Sequence, residues 1–253
     1  MSEAARRLRR TIDVHVKVDT GMGRIGVRPE AAPALVRSLA LLPGVRVQGL
    51  YTHLACAESD AAFTALQLRA FRRVVDVLAR EGLRPPLVHA GNSAGALRYP
   101  AARYDLVRPG LAAYGLYPGF EPILTLKSKI VFLKTVAKGA TVSYGATWRA
   151  KRPTRVATLP IGYGDGYARA LSGRADVLLG GRRCPVVGRV TMDQVMVDAT
   201  GAPGARVGDD AVLIGRQGRG EIPVAELSRH CGTIPYETAT ALSSRVPRVG
   251  ISS

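Results

Sequence analysis

The chain has 253 residues, enough for one large domain or two small ones with a substantial core. Hydrophobic residues make up 47% and charged residues 22%, an ordinary globular balance, and the longest apolar runs fall far short of the ~20 residues a membrane helix needs. The net charge of +17 suits an anionic small-molecule site; the arginines behind it are spread out without an aromatic-rich RNA-reading motif, so nucleic acid is not the expected partner.

In chain order, the start MSEAARRLRR carries no apolar stretch behind its charges, so it does not read as a secretory signal, and Ala4–Arg10 reads as the end of a helix. Ile12–Val18 alternates apolar and polar positions as a strand does. A helix over Ala31–Leu42 follows, ended by Pro43-Gly44, and then a second strand over Val45–Leu50. Asp60 can cap a long helix whose apolar positions Phe63, Leu66, Phe71, Val74, Val75 and Leu78 recur at steps of three and four. Leu87–His89 is a third strand, Asn92 opens a short helix, and Tyr104–Val107 is expected as a fourth strand stopped by Pro109. Four strands alternating with helices imply parallel units. From Leu124 onward the grammar changes to short strands punctuated by glycines, the rhythm of an antiparallel β domain, with one helix over Val224–Cys231 seeded by Pro223.

The expected fold class is therefore α/β plus β. Residues 1–120 would be the C-terminal half of a (β/α)₈ TIM-like barrel, which needs about 250 residues when closed, and 121–253 the β domain. The chain reads as the rear portion of a longer protein. Half a barrel leaves apolar edges open, so the isolated chain is expected to be weakly stable or to aggregate. Three widely spaced cysteines, Cys56, Cys184 and Cys231, argue against a disulfide framework or zinc site and suit a reducing cytosol.

In parallel α/β architectures the chemistry sits where strands end. The first expected strand runs into Asp19-Thr-Gly-Met-Gly-Arg24, the second into Tyr51-Thr52-His53, the third into His89-Ala-Gly-Asn92-Ser93, and the fourth into Arg108-Pro-Gly110. Singly, each has an ordinary explanation: His53 as a packed or exposed histidine, Arg108 as an ion-pair partner, Asn92-Ser93 as a helix start. Four polar strand ends in register point instead to a site. Asn92-Ser93 entering a helix offers donors for a phosphate, and Gly110 lets backbone approach its other side. Spacing names no reaction, although a phosphate-bearing cofactor would suit it. The tripeptide Asp19-Thr20-Gly21 also occurs in aspartic proteases, but those need two such carboxylates sharing a proton, and this chain has no second DTG.

Eight segments together carry a resemblance: KVDTGMGRIGV (17–27), YTHLA (51–55), HAGNSAG (89–95), YDLVRPGLAAYG (104–115), TVSYGATW (141–148), LPIGYGDGYAR (159–169), GRVTMDQ (188–194) and IPYE (234–237). In this order they resemble alanine racemases over almost the whole chain. The resemblance implies pyridoxal 5′-phosphate as cofactor, an amino acid as substrate, exchange of L- and D-alanine for peptidoglycan synthesis, a cytoplasmic location and a homodimer. It implies Tyr144 as the base on the L face, lent across the dimer to the partner's site, and Arg24 as donor to the cofactor's phenolic oxygen. Lys17 matches a lysine that is carbamylated in many members and orients Arg24. Asn92, Ser93, Gly110, Leu111 and Tyr236 match the phosphate-binding region, and Tyr163 and Met192 the substrate lining. Arg108 matches the arginine facing the pyridine nitrogen. An arginine keeps its proton, so it would donate to that nitrogen and leave it uncharged, which favours quick return of a proton over transamination. His53, matched to a histidine bonded to Arg108, would help lower the phenol's pKa, and the cations Arg24 and Arg108 push the same way.

One part of the family pattern has no match. The lysine that links covalently to the cofactor and serves as the second base lies in a segment this sequence does not contain, and none of the six lysines here stands in a comparable context. The chain alone is therefore expected neither to form that linkage nor to racemise alanine. Two other readings stay open: a racemase of the same fold acting on serine or a broader substrate range, and an inactive relative that pairs through its β domain.

Overall fold

A computed structural model describes residues 2–251. The chain divides into two compact units between Ala113 and Tyr114, and each is taken by itself.

The first unit is mixed α/β. Helix α1 (Ser2–Leu8) stops where Arg9 turns left-handed at φ 48°, two residues before the expected end. Strands β1 (Ile12–Lys17), β2 (Val45–Tyr51) and β3 (Leu87–His89) pair in parallel in sequence order. Helix α2 (Ala32–Ala40) lies between the first two strands and α3 (Ala61–Arg80) between the second and third. Asp60 caps α3 by accepting from the Phe63 amide at 2.9 Å, as expected from its position before an apolar-periodic run. Leu68, Phe71, Val75 and Leu78 bury one face of α3, and Gly82 at φ 70° ends it while Leu83 donates to the Leu78 carbonyl. A forked ion pair from Arg37 to Glu81 ties α2 to that end.

The fourth expected strand does not form. Tyr104 sits at φ 42°, outside the extended region, and of residues 104–107 only Leu106 makes a bridge, to His89. The Asp105 carboxylate takes over the pairing, accepting from the Val88 amide at 2.8 Å and from Arg84 at 2.7 Å. The Asp105 amide still donates to the Val88 carbonyl at 3.0 Å, but the Val88 amide is taken by a side chain and Tyr104 is left-handed, so no ladder extends and periodicity was a false guide here. Helix α4 (Ser93–Arg98) begins at Asn92 as expected.

The second unit is a β domain. Its strands are β4 (Leu126–Lys129), β5 (Phe132–Val136), β6 (Thr141–Val142), β7 (Trp148–Arg149), β8 (Thr154–Leu159), β9 (Asp176–Leu179), β10 (Arg182–Pro185), β11 (Val195–Asp198), β12 (Asp210–Gln217) and β13 (Gly220–Ile222). Among the described residues of this unit every strand pairing is antiparallel. One sheet runs β10-β9-β12-β13 with β4 also on β12, a second runs β11-β8-β5, and β6-β7 is a hairpin. Gly180 and Gly181, both at positive φ, make the two-residue turn that β9-β10 needs. Leu159, Val177, Leu178, Val197, Leu213 and Ile222 are fully buried in its core, under α5 (Val224–Cys231). A further helix, α6 (Pro235–Thr240), follows. The three cysteines are free, and no helix among the described residues is long and apolar enough to cross a membrane.

Candidate active site

Successive side chains of a strand point to opposite faces. Pairing His15 with Gly49, Lys17 with Tyr51 and Tyr51 with His89 puts these residues on one face of the parallel sheet. Arg108 reaches over that face. Its Nη1 donates to Nδ1 of His89 at 2.5 Å and its Nη2 to the Thr52 carbonyl at 2.8 Å, with longer contacts to the Ala90 carbonyl and to Nδ1 of His53, both at 3.3 Å. The guanidinium carbon lies 5.5 Å from the centre of the Tyr51 ring, which itself stacks on His89 at 5.0 Å.

An arginine only donates, so His89 must accept at Nδ1 and carry its proton on Nε2. That proton is then given to Nδ1 of His15, 3.0 Å away. The result is a directed chain, Arg108 to His89 to His15. Burial, reinforced by the charges of Arg108 and His15, pushes His89 down to about 4, so it is neutral at pH 7. His53 is shifted down as well, first by burial and then by Arg108, Arg24 and Lys17. Three cations act on one imidazole, which marks the region as electropositive. Lys17 is buried, and burial together with Arg24 and Arg108 lowers its pKa against the opposing pull of Asp19.

Next to Arg108 the buried Ser93 hydroxyl accepts from the backbone amides of Gly110 and Ala112 at 3.0 and 3.2 Å. Two amide donors of the 110–112 segment thus converge on one hydroxyl. The Asn92 side chain is used locally: it caps α4 through the Gly95 amide at 2.9 Å, with a longer contact to the Leu54 carbonyl. The Arg24 loop is tied up by Asp19, whose carboxylate accepts from Gly21 and Gly23 at 3.0–3.1 Å and is held below the usual carboxylate range by those bonds.

In the second unit Tyr144 is 72% exposed, on a turn where Ser143, Gly145 and Ala146 all adopt positive φ. The Ser143 hydroxyl anchors that turn to the Arg189 carbonyl at 2.7 Å. Tyr163 and Met192 are brought together: Tyr163 N donates to the Thr191 carbonyl and Gly164 N to the Met192 carbonyl, at 3.0 and 2.9 Å. Gly162 permits this approach, since a Cβ there would lie 2.2 Å from the Thr191 carbonyl. Tyr236 is on α6, and Leu111 lies between Gly110 and Ala112, the two residues whose amides meet Ser93.

Comparison with known proteins decides the family. Residues 1–118 match the model of the alanine racemase N-terminal domain and 123–250 that of the C-terminal domain. An alanine racemase of Symbiobacterium thermophilum is 48% identical over 98% of this chain, and one of Sorangium cellulosum 46% over 94%. The chain belongs to the alanine racemase family. It spans 68% and 65% of those two relatives' lengths. Among solved structures, the alanine racemase of D-cycloserine-producing Streptomyces lavendulae superposes with a TM-score of 0.92 at 38% identity, covering 100% of this chain and 69% of that one. The alanine racemase of Bacillus anthracis with bound L-Ala-P gives 0.88 at 37%, again covering 100% and 69%. The family is one of amino-acid racemases.

Within this chain, Lys17, His53, Ser93, Arg108 and Gly110 lie on the strand-end side of the first unit, and Tyr144, Tyr163, Met192 and Tyr236 belong to the second. Sequence reading passed over His15 and Gln67 as site-forming groups, and took Thr52 and His89 only as strand ends. Period-two alternation could have flagged His15 with Lys17; for Gln67 no local signal exists, because its partners are distant in sequence.

Proposed function

We propose that this chain contributes to pyridoxal 5′-phosphate-dependent interconversion of L- and D-alanine, supplying D-alanine for peptidoglycan in the cytoplasm, with no racemisation expected of the chain alone. The observation that carries the reading is the Arg108 guanidinium, aimed by its bonds to His89 and the Thr52 carbonyl, beside the Ser93 cradle: a permanent donor next to converging hydroxyl and amide groups, in surroundings crowded with cations. That donor set fits a phosphorylated pyridine. Ser93, Gly110, Leu111 and Tyr236 would hold the phosphate, with Asn92 shaping the turn beneath it. Arg108 would face the ring nitrogen and Arg24 the phenolic oxygen. When bound, the cofactor supplies the electron sink that acidifies the amino acid's α carbon.

The chain's own residues do the rest. Arg108, unable to accept a proton, keeps its partner nitrogen uncharged. His89 and the Thr52 carbonyl fix the fork's direction, and His53, its pKa lowered first by burial and then by Arg108, lies within reach of the same fork. Tyr144 would take and return the α proton on one face, lent to the partner's site in a homodimer. Its exposure on a strained turn, together with the exposure of Tyr163 and Met192, supports that assignment. Lys17 is buried with its pKa lowered, the direction that favours the free amine carbamylation requires. Residues 1–120 would form part of a (β/α)₈ barrel carrying the cofactor and 121–253 the β domain. The second base is not assigned to any of the six lysines in this sequence.

The test is direct titration of pyridoxal 5′-phosphate into the chain, followed by absorbance. Saturable binding is expected, weakened about tenfold or more in Ser93→Ala and Arg108→Leu, since each removes charge-assisted or buried donors. Alanine racemisation is then assayed after co-expression with the part of the Symbiobacterium relative that lies outside the match; D-alanine should form and should vanish in Tyr144→Phe. Absence of saturable binding by the wild-type chain would defeat the reading.

A further inference from the structure

We infer that Gln67 on α3 is a positioning residue for this site, setting the spacing between the loop that carries Arg24 and the loop that carries His53. The inference rests on the proposed function for its purpose and on geometry for its content. Gln67 is completely buried, 0% exposed, and uses its whole amide. Its Oε1 accepts from the Ala55 amide at 2.9 Å; its Nε2 donates to the His53 carbonyl at 3.1 Å and to the Thr20 hydroxyl at 3.2 Å. These bonds leave the helix altogether. Two go to the loop after β2 and one to the loop after β1, segments more than thirty residues apart in sequence.

The bracket is closed by a second link. The Thr20 hydroxyl is 2.7 Å from that of Thr52, itself fully buried, and the Thr52 carbonyl is the acceptor that aims Arg108. One helical turn before Gln67, Phe63 packs on the same loop: a Cβ on Gly21 would come within 2.8 Å of its ring, and Gly21 at φ 135° has none. Asp19 in turn fixes Gly21 and Gly23, so holding Thr20 holds the loop as far as the residue before Arg24. A core glutamine that merely satisfied itself would bond within its own helix or to the sheet. This one fastens two strand-end loops to each other and to the backbone beneath Arg108.

The experiment uses the full chain with Gln67→Met, which keeps the length and volume without the polar atoms, and Gln67→Glu, which keeps an acceptor for Ala55 but loses both donors. Amide exchange and the imidazole NMR titration of His53 are read with no cofactor added. In Gln67→Met, exchange at Gly21, Gly23 and Ala55 should rise by about tenfold or more while Phe71 and Val75 of α3 are unchanged. The His53 titration should move back toward the ordinary histidine range, because its burial and its contact with Arg108 both loosen. In Gln67→Glu, Ala55 should stay protected while Gly21 and Gly23 are released. Unchanged loop exchange and an unchanged His53 titration in Gln67→Met would overturn the inference; so would a uniform rise along α3, which would mean a packing role only. If the wild-type chain binds no pyridoxal 5′-phosphate, the proposed function fails and these readouts still decide the role of Gln67.

Discussion

Gly49→Ala isolates one contact of the imidazole chain behind Arg108. Gly49 does not use a left-handed backbone, so alanine fits its dihedrals, and in an open strand the change should stabilise by about 0.4–1 kcal/mol through the unfolded chain. Here the new Cβ would lie 2.2 Å from Nδ1 and 2.4 Å from Cε1 of His15. The ring must swing away, and its 3.0 Å bond from His89 is lost. Losing that bond costs about 0.5–1.5 kcal/mol. Crowding adds about 1–3 kcal/mol, toward the low end because His15 is exposed and can rotate. The two costs sum to roughly 2 kcal/mol, and the gain through the unfolded chain leaves a net destabilisation of about 1–1.5 kcal/mol. With His15→Ala as background the obstacle is gone, and Gly49→Ala should leave stability unchanged or raise it. Urea unfolding of the four proteins at pH 7 gives the cycle, with an expected coupling of about 2 kcal/mol. An equal cost of Gly49→Ala in both backgrounds would show that the ring does not occupy the space above Gly49, and the directed chain from Arg108 would fall with it.

Two further outcomes are expected. His89 titrates near 6.5 when unfolded and about 4 when folded, so the unfolded chain binds the extra proton between these values; its contribution is complete above pH 6.5 and is lost as the pH falls toward 4. Urea midpoints between pH 7 and 4.5 should therefore fall more steeply for wild type than for His89→Gln, and parallel curves would refute the assignment. Tyr167 is 2% exposed and its buried hydroxyl has no hydrogen-bond partner, so Tyr167→Phe should hold stability or gain about 1 kcal/mol; a loss of that size in thermal melts would mean the hydroxyl is bonded.

Much of this was legible in the sequence. The three parallel strands, the Asp60 and Asn92 caps, the long amphipathic helix and the change to antiparallel β structure follow from local chemistry: period, capping side chains and glycine turns. Residues 104–107 misled because strand periodicity says nothing about a left-handed residue such as Tyr104 or a carboxylate such as Asp105 that takes the neighbouring strand's amide. The polar strand ends at Arg24, His53, Ser93 and Arg108 were visible because strand ends are where parallel architectures place chemistry.

What these residues do to one another was not visible. Sequence alone gave the identities on each strand end and the alternation that selects a face. Tertiary structure decided that Arg108 points into His89 and the Thr52 carbonyl, that His89 passes its proton to His15 over the gap left by Gly49, and that Gln67 fastens two loops from behind. The reason is physical. Propensity and period act over a few residues, whereas a hydrogen bond is directional and fades within tenths of an ångström, so its partners are fixed only once the strands have register and the helix is packed against them.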